Sequence, residues 1–307
     1  MAVTLIEAAK QSTNEVQQAV IETFAMSTDL LAVLPFQEIP GRSLTYNQEE
    51  TLPGVAFRSV NGSYPESTGV VNPIVEQLVI AGGDMDVDKF IDKTMGAGYR
   101  STQEALKIKA SGHEISHKFI KGDSASNPNE FDGLQTRLTG GQVISAGATA
   151  GGTALSLSKL DELIDTVDDP THLFMPKAMR RHLTAAARNT GVGCYITYSV
   201  DAFGRRIAMY GDLPILIADG NGDVNASLGF NEAAASGAST ATSIYCMSLG
   251  DGMLTGIQNG GIDVEDLGEL QEKPTLRTRV EWYMALAAWH PRAAGRLQHI
   301  ADAAVTA

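Results

Sequence analysis

Three stretches hold side chains whose types and spacing could do chemistry. His113-Glu114-Ile115-Ser116-His117 spells H-E-x-x-H. On a helix, two histidines at i and i+4 share a face and can hold zinc, with the glutamate between them as general base. The longer peptidase pattern then fails. It wants an uncharged residue after the second histidine and meets Lys118; it wants glycine three residues after that histidine and meets Ile120. A third ligand has to come from elsewhere, such as Glu130 or Asp132. Helix-surface residues are the better reading, and a zinc metallopeptidase the lesser one. Asp219-Gly-Asn-Gly-Asp223 opens like a calcium loop, but the motif then needs Gly at Val224 and Glu at Phe230. A polar turn between strands fits better. Cys194 and Cys246 sit in strand-like text and show no metal spacing, so they read as buried thiols in a reduced, intracellular setting. No Walker loop, dinucleotide fingerprint, nucleophile elbow or CxxC pair is present. The expectation is a protein with no catalytic residue, no cofactor and no bound metal.

Composition narrows the class. The chain has 307 residues, 43% of them hydrophobic, enough for one large domain or two ordinary ones. Its net charge is −13, from 36 acidic and 23 basic residues. That argues against a dedicated nucleic-acid binder, whose affinity comes from Lys and Arg on phosphates. A protein that stays near DNA without sticking to it is compatible. The N-terminus lacks a basic region followed by an apolar run. Leu30-Leu-Ala-Val-Leu34 is too short to span a bilayer. A soluble protein made in the cytoplasm, with no membrane partner, is expected.

The elements that would position these residues read in order. Residues 1–34 carry a helical apolar stripe of Val16, Val20, Phe24, Leu30, Leu31 and Leu34 on a polar background, an arm that docks on something else. Pro35 and Pro40 end it. Residues 35–83 are dense in turn residues, with strand-like runs at 43–46, 55–57 and 74–80: a long two-stranded excursion with a polar middle. A hairpin alone is marginal in water and needs a partner surface. Residues 84–122 read as one helix of roughly 50 Å. Asp84, Asp86 and Asp88 suit its N-terminus, Lys118 and Lys121 its C-terminus, and Gly122 closes it. Val87, Phe90, Ile91 and Met95 fall at helical spacing, and Gly96, Gly98 and Gly112 are places for a bend. After a loop and the small-residue stretch 139–153, the pattern becomes mixed. Helix 158–167, strand 172–175, a helix after Pro176 closed by Gly191, a hairpin of 195–200 with 206–210, and strands 213–218 and 243–249 follow. The tail alternates with period two through Arg277, Arg279 and Glu281. No internal repeat is visible.

That order of parts resembles the major capsid protein of tailed bacteriophages, the Hong Kong ninety-seven fold family. Leu30-Leu-Ala-Val-Leu-Pro-Phe36 running into Gly41-Arg-Ser-Leu-Thr-Tyr46 and Glu49-Glu-Thr-Leu-Pro-Gly54 is similar to the family's arm and extended loop. Phe131-Asp-Gly-Leu134 resembles the segment after its spine helix, Gly211-Asp-Leu-Pro-Ile-Leu-Ile217 an axial-domain strand, and Ala287-Ala-Trp-His-Pro-Arg-Ala-Ala294 the closing strand. The resemblance implies an α+β fold. Its parts are an N-terminal arm (1–34), an extended loop (35–83), a peripheral domain with the spine helix (84–153), an α/β axial domain (154–260) and return strands (261–307). It implies hexamers and pentamers in an icosahedral shell around double-stranded DNA, located in the virion and assembled in the host cytoplasm. A portal and a decoration protein are expected partners. No long extension precedes the arm, so a separate scaffolding protein is expected. The encapsulin nanocompartment shares the fold and ranks second, because its cargo-capturing helix is not evident in residues 1–34. The acidic balance would let packaged DNA slide.

The resemblance also directs attention to residues 41–75 as the grip on a neighbour. The charges there are Arg42, Glu49, Glu50, Arg58 and Glu66. Some relatives weld subunits through a loop lysine joined to a neighbour's asparagine. Here no lysine lies between Lys10 and Lys89, and a guanidinium is not the nucleophile for that bond. Both cysteines fall in axial-domain strands. Non-covalent fastening is therefore expected.

Overall fold

The computed structural model describes residues 2–7, 15–25, 27–96, 98–189, 196–200, 206–218, 227–235, 237–238 and 240–306. The chain begins with β1 (Val3–Thr4), α1 (Glu15–Ala25) and α2 (Asp29–Val33). Strand β2 (Pro35–Glu38) leads to the hairpin β3 (Ser43–Thr51) and β4 (Val70–Gln77), then β5 (Val79–Asp88). Helices α3 (Lys89–Met95), α4 (Gly98–Lys121) and α5 (Leu134–Arg137) follow. The remainder is β6 (Val143–Ser145), α6 (Leu157–Thr166), β7 (His172–Pro176), α7 (Lys177–Arg188), β8 (Ile196–Val200), β9 (Arg206–Tyr210), β10 (Leu213–Ala218), β11 (Thr242–Met247), β12 (Leu254–Glu269), β13 (Thr275–Ala288) and β14 (Ala294–Ile300).

These strands form three sheets. A five-stranded sheet has the order β1-β2-β12-β13-β5, a seven-stranded sheet the order β6-β14-β11-β7-β10-β9-β8, and β3 pairs only with β4. The small-residue stretch 139–153, a linker by composition, supplies β6, which pairs in parallel with β14. Strands β12 and β13 run long enough to tie the tail to β5 and hence to the root of the excursion.

The five-stranded sheet is organised around Trp282. Its ring meets Phe24 edge-on at 5.3 Å and Phe36 at 4.9 Å, so the arm, β2 and β13 share one aromatic contact. Gly256 on β12 is required beneath it, because a Cβ there would lie 2.4 Å from the Phe36 ring. Leu30, Leu31 and Leu34 are also fully buried. The expectation that the arm docks elsewhere is corrected: from Val20 onward its apolar stripe fills this chain's own core. Val16 lies where no side chain is described.

The single helix expected over 84–122 is corrected as well. Residues 84–88 are the end of β5, and only Asp88 caps a helix, accepting from the Phe90 amide at 2.7 Å. Asp84 and Asp86 face Arg279 and Arg277 across the β5–β13 ladder, each pair bidentate at 2.6–3.0 Å. Asp-Met-Asp-Val-Asp is period two, and a partner some 190 residues away outweighs a local capping preference. Gly96, with φ of 89°, ends α3. Phe90 and Met95, expected on a packed face, are exposed. The long helix is therefore α4, of 24 residues and about 36 Å. The helix runs through Gly112 without a break. A Cβ there would meet the Ser27 hydroxyl at 2.0 Å, so the glycine lets the arm cross the helix closely. One turn on, the buried Ser116 hydroxyl donates to Thr28 Oγ1 at 2.9 Å, and Thr28 caps α2.

Trp282→Ala removes the ring that joins these three elements. It should lower the unfolding free energy by about 3–5 kcal/mol, read from the denaturant midpoint of the unassembled chain against the unsubstituted one.

Candidate subunit interface

The hairpin β3–β4 leaves the body and carries at its tip residues 52–69, which form neither helix nor strand. Val55–Phe57, strand-like in sequence, forms no strand. What holds the root is a half-buried ion pair. Arg137 on α5 donates to both carboxylate oxygens of Glu76 on β4, at 2.8 Å from Nη2 and through a shorter contact from Nη1. The same guanidinium donates to the Leu286 carbonyl at 3.0 Å and, through Nε, to the Asp132 carbonyl at 2.7 Å. Tyr46 on β3 completes the root, donating to Glu76 at 3.4 Å and accepting from the Ala288 amide at 3.2 Å. Its ring lies 4.7 Å from that of Trp289. One arginine thus joins the hairpin, the segment after the spine helix and β13. Burial alone would discourage the charged guanidinium, but the pair with Glu76 prevails and its pKa moves up.

Beyond the root the loop has little of its own to pack on. Leu52, Val55, Phe57 and Val60 are 78%, 92%, 103% and 92% exposed. These four are the functional candidates that the sequence reading missed by weighing charges. The signal was present: apolar residues in turn-rich text, with no strand partner to cover them. Of the expected contact residues, Arg42, Glu49, Arg58 and Glu66 are exposed, and Glu50 lies on β3 with its side chain outside the description. Among the described residues, no ion pair joins Arg42, Glu49, Arg58 and Glu66 to one another. Arg58 instead turns inward on the tip, donating to the Gly62 carbonyl at 3.3 Å with its guanidinium 5.1 Å from the Tyr64 ring centre. Arg42 sits at the root, where its carbonyl accepts from the Leu78 amide.

The zinc-like residues lie on α4. The Nδ1 atoms of His113 and His117 are buried without a hydrogen-bond partner, and burial lowers the His117 pKa. Glu114 and Lys118 form an i,i+4 pair at 3.7 Å, and Lys118 also holds Glu130 at 2.8 Å. Asp132 accepts from the Ser124 amide. Both acids proposed as third ligand are thus engaged elsewhere, and no metal-type cluster occurs among the described residues. Cys246 lies buried on β11, with its thiol pushed up to about 12 by burial. Cys194, Gly191 and the calcium-like Asp219–Asp223 stretch lie outside the described residues. No described helix is long and apolar enough to cross a membrane.

Residues 12–186 match the family model described as Major capsid protein GP7. The chain belongs to that family. No curated protein matches it. Among solved structures, it is similar to the holo SrpI encapsulin complex from Synechococcus elongatus, with a TM-score of 0.64 and 16% identity over 91% of this chain and 89% of that one. Microbacterium phage Oxtober96 gives 0.63 and 14% over 90% and 91%, and the capsid of a native GTA particle 0.58 and 16% over 91% of each chain. The fold is the Hong Kong ninety-seven type: arm, extended loop, spine helix and mixed sheet domain. This is a capsid protein of the phage type, and its family and fold are those of a structural capsid protein.

The root has a pH signature. Burial, then the Glu76 charge, pushes the Tyr46 phenol up to about 12. In the unfolded chain it ionises near 10. The stability that depends on the neutral phenol is complete below pH 10 and is lost as pH rises through about 12. Thermal unfolding between pH 10 and 12 should therefore fall less steeply in Tyr46→Phe than in the parent chain.

Proposed function

We propose that the chain assembles as hexamers and pentamers into an icosahedral shell that encloses double-stranded DNA. The observation that carries this is the loop tip: four large apolar side chains in water on a hairpin anchored only at its root. Exposed apolar patches of this kind mark interaction sites. In a shell of identical copies, a neighbour supplies the missing cover. The family match supports the capsid role. On this reading α3, α4 and the five-stranded sheet form the peripheral domain, and the seven-stranded sheet with α6 and α7 forms the axial one.

The contacts proposed for the loop combine the apolar tip with the charges Arg42, Glu49, Glu50, Arg58 and Glu66. Exposed pairs contribute only about 0–1 kcal/mol each, so the apolar residues carry more of the affinity. The partners this reading brings are a scaffolding protein, a portal and a decoration protein over the joints. The likeness to an encapsulin favours a second reading, a nanocompartment shell. Electron microscopy with mass spectrometry of the contents separates the two: shells with packaged DNA support the virion reading, shells holding an enzyme and no genome the other.

Phe57→Ser with Val60→Ser should leave the unassembled chain's melting temperature within about 1 °C, since neither side chain is buried. The yield of closed particles should fall at least tenfold by sedimentation. Unchanged yield would remove the apolar tip from the interface.

Fastening is predicted to be non-covalent, because the loop has no lysine and Cys246 is buried. Boiled, denatured particles should run as one band near 32.5 kDa. A ladder of multimers with a linked peptide would contradict this.

A further inference from the structure

Helix α7 runs against the overall charge of the molecule. Four of its twelve residues are basic and none is acidic, whereas the chain as a whole has 23 basic and 36 acidic residues in 307. Met179, Leu183 and Ala186 turn inward against the seven-stranded sheet. That burial fixes the other face. Lys177, Arg180, Arg181 and Arg188 all point to solvent, and at about 100° per residue they fall on one stripe, roughly 16 Å long. A fifth cation extends it. Strands β9 and β10 pair only at Leu213–Tyr210 and Pro214–Met209 and then part. Arg180 and Arg206, with Asp29, line the cleft of about 240 Å³ that opens there. Asp29 accepts from the Ile217 amide at 3.3 Å. Asp302 binds His182 at 2.6 Å and reaches Arg181 only at 3.9 Å. Among the described residues, Arg180, Arg188 and Arg206 have no ion-pair partner.

We infer that this ridge contacts the phosphate backbone of double-stranded DNA without reading its sequence. A row of arginines along a helix is the electrostatic footprint of phosphate binding, and the guanidinium fork matches phosphate oxygens two at a time. A 16 Å stretch of duplex presents about ten charges to such a row. An acidic protein surface is the competing partner. Protein interfaces carry an apolar centre, and no large apolar side chain is exposed along α7. The opposite character of the five-stranded sheet, where Asp84 and Asp86 on β5 and Glu265 on β12 face Arg277 and Arg279 on β13, would confine DNA contact to discrete points. This inference rests on the shell reading for the presence of DNA.

The test uses the full-length chain and fluorescent 20-base-pair duplexes of two unrelated sequences, followed by anisotropy from 50 to 200 mM NaCl. Equal binding of both duplexes is expected, with a slope of log K on log salt of about −4.5 for five phosphate contacts. Arg180→Gln, Arg181→Gln and Arg188→Gln together should weaken binding at least tenfold and lower the slope by about 3. Lys93→Gln, Lys109→Gln and Lys273→Gln, exposed lysines elsewhere, remove the same charge and should change binding less than threefold. Equal loss in both triple variants, or no DNA binding by the parent chain, overturns the inference. So does polyglutamate binding through the same arginines while DNA does not bind. Electron microscopy of the same preparations keeps the two ideas apart: closed shells from the arginine variant with lost DNA affinity leave the shell reading intact.

Discussion

A long hairpin with an apolar tip is useful only if its root is held, and the Glu76–Arg137 pair does the holding. Its two charges are 12% and 15% exposed at the side chain. A half-buried pair gains little net stability over apolar packing, but loss of either partner leaves the other's hydrogen bonds unmade and costs about 1–3 kcal/mol. The arginine's remaining donors reach two carbonyls, on the segment after the spine helix and on β13. The direction in which the hairpin leaves the body is therefore set by the same contact that locks α5 to the sheet. The apolar side chains of the loop tip lie exposed, whereas its origin is held.

The body behind that root is built to resist. Trp282 draws the arm, β2 and β13 together, and Gly112 and Ser116 let the arm lie directly on α4. A second ion pair, the buried Arg296 with Glu232 at 2.9 Å, fastens the residues before β11 to β14. Strand β13 belongs to the five-stranded sheet and β14 to the seven-stranded one, so residues 289–293 link the two sheets directly.

Much of this was legible in the sequence. The order of parts, β3, α6, β7, α7 and the β8–β9 pair follow from local periodicity and turn residues, whereas the run 74–80 spans the end of β4 and the start of β5. The failures share one cause. Asp84 and Asp86 look like helix caps until Arg277 and Arg279 are known to lie opposite them. The arm looks unpartnered until Trp282 is folded against Phe24. Both depend on contacts between residues far apart in the chain, which no window of sequence contains. At the candidate site the sequence drew attention to the charges, and the structure adds the exposed apolar side chains. Charges such as Arg58 and Glu66 are conspicuous in a sequence, whereas Phe57 reads as the core of a strand unless one sees that nothing pairs with it. Arg137 was invisible as a root residue, because its partner Glu76 is across the whole spine helix in sequence.

The central claim is that residues 52–69 find their cover only on another copy. Backbone hydrogen exchange of the free chain and of closed particles tests this most directly. The account predicts fast exchange across 52–69 in the free chain and strong protection in the particle, with the root at 43–48 and 72–77 protected in both. Equal, fast exchange of 52–69 in both states would contradict it.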